Sequence, residues 1–163
     1  FLNIADKIFI GGALANNFLK AKGVDIGSSV LSKNIPVEKY INNEKIYFPS
    51  DFRMKDGKIY DIGEKAAEEV LSFIQEAKFI LWSGPMGNIE EGDFDKGTKI
   101  IAQAIANSKA KTVVGGGDTV AVLNEIGILD KFSFVSTAGG AMLEFLASGT
   151  LPGIEAMVIS KRS

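Results

Sequence analysis

Short apolar runs of strand character alternate with segments of helical period along this chain, and four of the changeovers are glycine turns: Gly11-Gly12, Gly84-Pro85, Gly115-Gly116-Gly117 and Gly139-Gly140. This alternation restricts the fold more than any other feature. Strands joined through helices pair in parallel, because the crossover returns the chain to run in the same direction. A parallel sheet must then be covered by helices on both of its faces. The expected architecture is therefore α/β: a parallel sheet with helices on both faces, a three-layer, Rossmann-like arrangement. No repeat, low-complexity tract or linker interrupts residues 1–163, a length suited to one core, so one domain is expected.

The segments read as follows. "KIFIGG" is a strand and "ALANNFLKAKG" a helix with Leu14, Phe18 and Leu19 on one face and Gly23 as its stop. "VDIGSSVLSKNIPVEKYINN" is weakly patterned, and "KIYFPSDFRMKDGKIYDIG" suggests short strands around Pro49 and an Asp56-Gly57 turn, an irregular surface excursion. "EKAAEEVLSFIQEA" places Ala67, Val70, Leu71 and Ile74 at helical spacing, and "KFILWSGPMG" is a strand ending in a Gly-Pro turn. "KGTKIIAQAIANS", "DTVAVLNEIG" and "GGAMLEFLASG" read as helices, "KTVVGG" and "KFSFVST" as strands. Trp82, the phenylalanines and the methionines are expected in the core, and the "EKAAEE" charges on a solvated face.

In such sheets ligands sit beyond the carboxyl ends of the strands, where helix N-termini face the crevice. A helix start offers unpaired N–H groups and about half a positive charge, and glycine lets an anion approach without a Cβ in the way. Phosphate is the natural guest of "VVGGGDTVAVLNEIG", residues 113–127. Asp118 directly follows the glycine triplet, and a carboxylate there repels phosphate unless a divalent cation lies between them. The pattern points to a Mg²⁺-nucleotide. A plain N-cap for Asp118 and a packing turn at Gly139-Gly140 are the structural alternatives for each motif taken alone.

Composition removes competing chemistries. There is no cysteine and no histidine, which excludes disulfides, thiolate metal sites and Ser-His or Cys-His triads, and suits a reducing, cytoplasmic setting. Eighteen Lys plus Arg against 20 Asp plus Glu give a net charge of -2, so no nucleic acid or anionic membrane partner is expected. No uncharged run exceeds 12 residues, as in Ile8 to Leu19, which is short of a membrane span. The opening "FLNIADK" has no initiating Met and reads as mid-element, so a truncated chain is expected. Neither a G-x-x-x-x-G-K-[ST] P-loop nor a first-strand G-x-G-x-x-G is present, so the glycines serve another scheme.

The blocks "IFIGGALANNFLKAKG", "LWSGPMGNIEEGDFDKGTKIIAQAIA", "VVGGGDTVAVL" and "STAGGAMLEFLASGTLPGIEAM", in that order, closely resemble the C-terminal, nucleotide-binding domain of phosphoglycerate kinase over essentially the whole chain. The resemblance implies transfer of phosphoryl between 1,3-bisphosphoglycerate and ADP, with Mg²⁺ as cofactor and ADP or ATP as substrate. It implies that Gly11 and Gly12 lie against the adenine, Pro85 beside the ribose, and Glu90 on the ribose hydroxyls. Gly116 and Gly117 are implied near the phosphates, Asp118 as the Mg²⁺ carboxylate and Thr119 as a phosphate contact. Gly139 and Gly140 are implied at the phosphoryl group in transit, the catalytic position.

The chain also departs from that pattern. Ser83 stands where the family commonly has asparagine, "NIE" replaces "VFE", and Tyr60 occupies a position near the base that is usually aliphatic. Ala138 replaces the first glycine of a triplet, which puts a Cβ where it can crowd the transferring group or oppose a positive φ. The family's N-terminal domain, which binds 3-phosphoglycerate or 1,3-bisphosphoglycerate, and the first strand of the C-terminal domain with its Gly-Gly-Ala-Lys stretch, are not found in this sequence. A monomeric fragment, inactive alone, is the expectation, and a stand-alone nucleotide-binding module that never catalyses is the alternative.

Overall fold

The structure, a computed structural model, describes residues 1–160. Strand β1 (Ile8–Phe9) leads into helix α1 (Gly12–Ala21), and a short helix α2 (Val37–Tyr40) precedes β2 (Ile46–Tyr47). A hairpin of β3 (Phe52–Lys55) and β4 (Lys58–Ile62) follows, then helix α3 (Glu64–Glu76). The remainder alternates strictly: β5 (Phe79–Ser83), α4 (Lys96–Asn107), β6 (Lys111–Gly115), α5 (Gly117–Glu125), β7 (Phe134–Ser136) and α6 (Gly139–Ser148), with α7 (Pro152–Ser160) last.

The expected parallel pairing is present. β5, β6 and β7 form one parallel ladder in which Trp82 lies opposite Val114, and Val114 opposite Val135. β1 and β2 form a second parallel pair, with Ile8 opposite Ile46. β3 and β4 are antiparallel around the Asp56-Gly57 turn, whose two residues have φ values of 49° and 70°. Two consecutive positive φ values match the right-handed twist of a tight hairpin, which is why glycine closes it.

Alternation along the strands sorts the faces of the three-stranded sheet. Trp82 and Val114 point to one side and join a core with Ala66, Ala67, Val70 and Ile74 of α3, Ile101, Ala102 and Ile105 of α4, and Leu123 of α5. The opposite side receives α6: a Cβ on Gly115 would run into the side chain of Met142. Helices thus flank the sheet on both faces, and the fold is a single mixed α/β domain with no closed barrel.

Several sequence expectations need correction. Leu14 is exposed, because the buried stripe of α1 is centred on Ala15, Phe18 and Leu19 and Leu14 lies beyond its edge. Leu71 is half-buried, and α3 buries Ala66 in addition to Ala67, Val70 and Ile74. Met86 and Met142 are in the core, whereas Met54 and Met157 are exposed. Among the phenylalanines Phe1, Phe79, Phe134 and Phe145 are exposed; Phe79 and Phe134 lie on the sheet face opposite Trp82. Helix α2 fell in a stretch without period. Helix α7 starts with Pro152 in its first turn, where the missing N–H costs nothing.

Candidate functional site

The carboxyl ends of β1 and β5 meet. Gly12 leaves β1 with φ +60°, and a Cβ built on it would sit 3.4 Å from the Pro85 carbonyl oxygen. A Cβ on Gly11 would press on the Met86 sulfur at 2.6 Å. Beside this junction opens a cavity of about 530 Å³, bordered by Gly12, Ala15 and Asn16 of α1, by Tyr60 and Asp61 of β4, and by Pro85. Its walls are mostly apolar, the usual character of a small-molecule site.

Gly84, with φ +93°, turns the chain from β5 toward this cavity, and its N–H is held at 3.0 Å by the hydroxyl of Thr119 in α5. The same turn touches the two glycine helix starts. A Cβ on Gly139 would approach within 2.9 Å of both the Gly116 Cα and the Ser83 hydroxyl oxygen. Gly116 has φ +104°, a backbone that side chains oppose, and its N–H is bonded to the Ser136 carbonyl at 3.1 Å. The N-termini of α5 and α6 therefore converge beside Ser83 and Gly84. Gly117 and Gly140 differ from their neighbours: neither has a positive φ, and a Cβ on either would meet no protein atom within 4 Å. Neither packing nor backbone conformation asks for glycine there, and the space beside both is open.

The first intrahelical bond of α5 runs from the Val120 N–H to the Gly116 carbonyl at 2.9 Å. The N–H groups of Gly117, Asp118 and Thr119 are thus the unpaired donors of this helix start. Asp118 follows the N-cap rather than forming it, since Gly116 occupies that position. Its carboxylate is exposed. No group of three or more acidic side chains that could hold a metal occurs among the described residues. A lone, exposed carboxylate at a helix start with unpaired N–H groups fits the donor set of Mg²⁺, which is held by one or two carboxylates together with phosphate oxygens and water. Ala138 has φ -108°, so its Cβ costs no backbone strain.

The structure brings Gly12 and Pro85 to the cavity, with Gly11 directly behind, and gathers Gly116, Gly117, Asp118, Gly139 and Gly140 beside it. Thr119 lies next to them, fully buried, with its hydroxyl accepting the Gly84 N–H. Glu90 is exposed on the loop beyond the cavity, its N–H held by Asn88 Oδ1 at 3.3 Å. Glu91 next to it pairs with Lys55 at 3.5 Å.

Asp61 had no place in the sequence reading. It is 1% exposed and accepts the N–H groups of Ile62 and Gly97, each at 2.9 Å. Arg53 Nη1 lies 3.9 Å from its carboxylate. Burial raises its pKa above the ordinary carboxylate range, and the Gly97 and Ile62 N–H groups and Arg53 only partly offset this. Cβ atoms on Gly87 and Gly97 would collide with this carboxylate, so both glycines make room for it. An acid inside the alternating run "KIYDIG" was the available signal. Asn88 also borders the cavity, and its N–H binds the Tyr60 carbonyl at 2.7 Å.

The sequence model of the family "Phosphoglycerate kinase" matches residues 1–149. The chain is 41% identical to phosphoglycerate kinase of Haemophilus influenzae, strains PittGG and Rd, over 98% of its own length and 46% of theirs. Among solved structures, phosphoglycerate kinase from Coxiella burnetii superposes with a TM-score of 0.79 at 34% identity, covering 94% of this chain and 47% of that one. That from Pyrococcus horikoshii OT3 gives 0.77 at 33% identity, covering 97% and 46%. The chain spans about half the length of the relatives it matches. A match this broad, in sequence and in fold, places the chain in the phosphoglycerate kinase family.

Proposed function

We propose that residues 1–163 belong to the C-terminal, nucleotide-binding domain of a phosphoglycerate kinase, and that the chain binds Mg-ADP or Mg-ATP. In this reading the base occupies the cavity beside Gly11, Gly12 and Pro85, Glu90 meets the ribose, and the phosphates lie on Gly116, Gly117 and the Thr119 N–H. Asp118 holds Mg²⁺, which neutralises phosphate charge when bound. Gly139 and Gly140 face the phosphoryl group exchanged with 1,3-bisphosphoglycerate. The remaining half of the relatives' length supplies the site for that second substrate. The chain is a cytoplasmic monomer with no nucleic acid or membrane partner; no helix among the described residues is long and apolar enough to cross a membrane.

One observation carries the reading. An apolar cavity and two convergent glycine helix starts are joined through the single turn at Gly84-Pro85, which matches a ligand with a flat apolar end and an anionic end. Calorimetric titration of the 163-residue chain with Mg-ADP tests it. Saturable one-site binding that competes with Mg-ATP is the expected result, and no heat with either nucleotide overturns the reading.

A further inference from the structure

Helices α3 and α4 pack side by side and close on each other toward their amino ends, where Lys96 pairs with Glu64 at 2.9 Å and Ala67 and Val70 share one core with Ile101 and Ala102. Toward their carboxyl ends a cleft of about 420 Å³ opens between them. It belongs to the end of the domain where the strands begin. The first turn of α4 serves the opposite end, since the Thr98 hydroxyl there accepts the Met86 N–H at 3.0 Å beside the proposed nucleotide cavity. Twelve residues of α4, roughly 18 Å of helix, run between the two ends. The cleft and that cavity share no lining residue.

The lining is amphipathic. Leu71, Ile74 and Ala77 on the α3 side and Ala104 on the α4 side supply apolar surface, and the two alanines leave room that larger side chains would fill. No aromatic ring and no acid lines the cleft. Its polar part is made of the exposed Gln75, Asn107 and Lys109. Lys109 is the one charged residue of the lining and belongs to no ion pair among the described residues. The nearby acid Glu76 is taken by Lys7 at 2.8 Å. The helix ends are already capped: the Ser108 N–H and hydroxyl donate to the Ile105 carbonyl at 3.1 and 2.8 Å, and the Ala77 N–H donates to that of Ile74 at 3.3 Å. With these carbonyls occupied and a lysine beside them, the cleft suits a negative guest rather than a positive one. A single cation matches a monoanion, and aliphatic walls match an aliphatic chain.

We infer that this cleft is a second binding site, for an aliphatic monocarboxylate whose chain lies on Leu71, Ile74 and Ala104 and whose carboxylate meets Lys109. The site is independent of the nucleotide reading. Octanoate titrated into the 163-residue chain tests it, followed through the methyl signals of Leu71, Ile74 and Ala104 in nuclear magnetic resonance, with hexanoate, octanol and octylammonium as comparisons. Saturable movement of those three signals is the expected result. Hexanoate, which buries two fewer methylenes, binds roughly ten-fold more weakly. Lys109→Gln weakens octanoate roughly five-fold, on the scale of an exposed ion pair, and leaves octanol binding unchanged. That contrast separates recognition of the carboxylate from a general effect on the cleft, and Lys109 is exposed, so its replacement leaves the fold in place. Octylammonium binding as tightly as octanoate, or Lys109→Gln binding octanoate as tightly as wild type does, overturns the inference. So do methyl signals of Leu71, Ile74 and Ala104 that stay still, including the case in which octanoate moves only signals around Gly12.

Discussion

The hydroxyl of Thr119, fully buried at the start of α5, accepts the N–H of Gly84 at 3.0 Å and so ties the turn after β5 to the turn after β6. Both turns border the proposed nucleotide position, so the bond sets their spacing. Thr119→Val keeps the shape and deletes the acceptor, leaving the Gly84 N–H without its partner. The expected cost is about 1–3 kcal/mol of stability, the scale of a buried donor left unsatisfied. Weaker Mg-ADP binding should accompany it, with Thr119→Ser recovering most of both. Urea unfolding and titration of the two variants check this; a Thr119→Val protein as stable as wild type would remove the tie.

Asp118 is exposed beside the unpaired N–H groups of α5. Asp118→Ala should weaken Mg-ADP by about 1.5–3 kcal/mol, taking hydrogen bonds to charged groups as the scale. Metal-free ADP should lose far less, because the carboxylate then only repels phosphate. Calorimetry with and without Mg²⁺ separates the two, and equal losses contradict the metal role.

Burial holds the Asp61 pKa above its ordinary value. An acid with a raised folded-state pKa contributes most when protonated in both states, below its unfolded pKa, and that contribution is lost as pH rises through the folded value. The stability of wild type relative to Asp61→Asn should therefore be greatest in acid and shrink as pH rises past the usual carboxylate range. Urea midpoints of both proteins across that range give the difference directly. A difference that grows with pH would mean that the Gly97 and Ile62 N–H groups and Arg53 outweigh burial.

The alternation of periods exposed the parallel architecture because buried parallel strands and amphipathic helices leave different spacings, as in "KTVVGG" against "KGTKIIAQAIANS". The glycine turns were legible for the same local reason. What did not show was set by contacts distant in sequence. Thr119 reaches Gly84 across 35 residues and Asp61 reaches Gly97 across 36. No spacing rule announces such pairs. The exposure of Phe79 and Phe134 was hidden as well, because a strand residue's type does not say which sheet face is covered.

Glu90 and Glu91 are chemically alike in the sequence, but the structure separates them. Glu91 pairs with Lys55 at 3.5 Å across an exposed surface, a bond of about 0–1 kcal/mol, while Glu90 belongs to no ion pair among the described residues. Glu90→Gln should reduce discrimination between ADP and 2'-deoxy-ADP, and Glu91→Gln should leave it intact. Matching behaviour of the two variants in that comparison would take Glu90 out of the ribose site.

Phosphoryl transfer by this chain alone should be negligible even where nucleotide binds. The glycine turns bring no arginine: Arg53 is engaged with Asp93 and Phe94 at the hairpin, and Arg162 lies outside the described residues. Backbone donors and one Mg²⁺ can neutralise a nucleotide, but the acyl phosphate donor is a second polyanion that needs its own cations. Holding two reactants in line accounts for roughly 7–11 kcal/mol of a barrier, so without a site for the second substrate most of the acceleration is lost. The chain spans 46% of its Haemophilus relatives, which leaves the other half to provide that site. A coupled assay for ATP formation from 1,3-bisphosphoglycerate and Mg-ADP, run on the chain and again with the relatives' N-terminal half added, decides it. Activity restored only on mixing supports the division of labour, and turnover by the chain alone near that of a complete phosphoglycerate kinase would refute it.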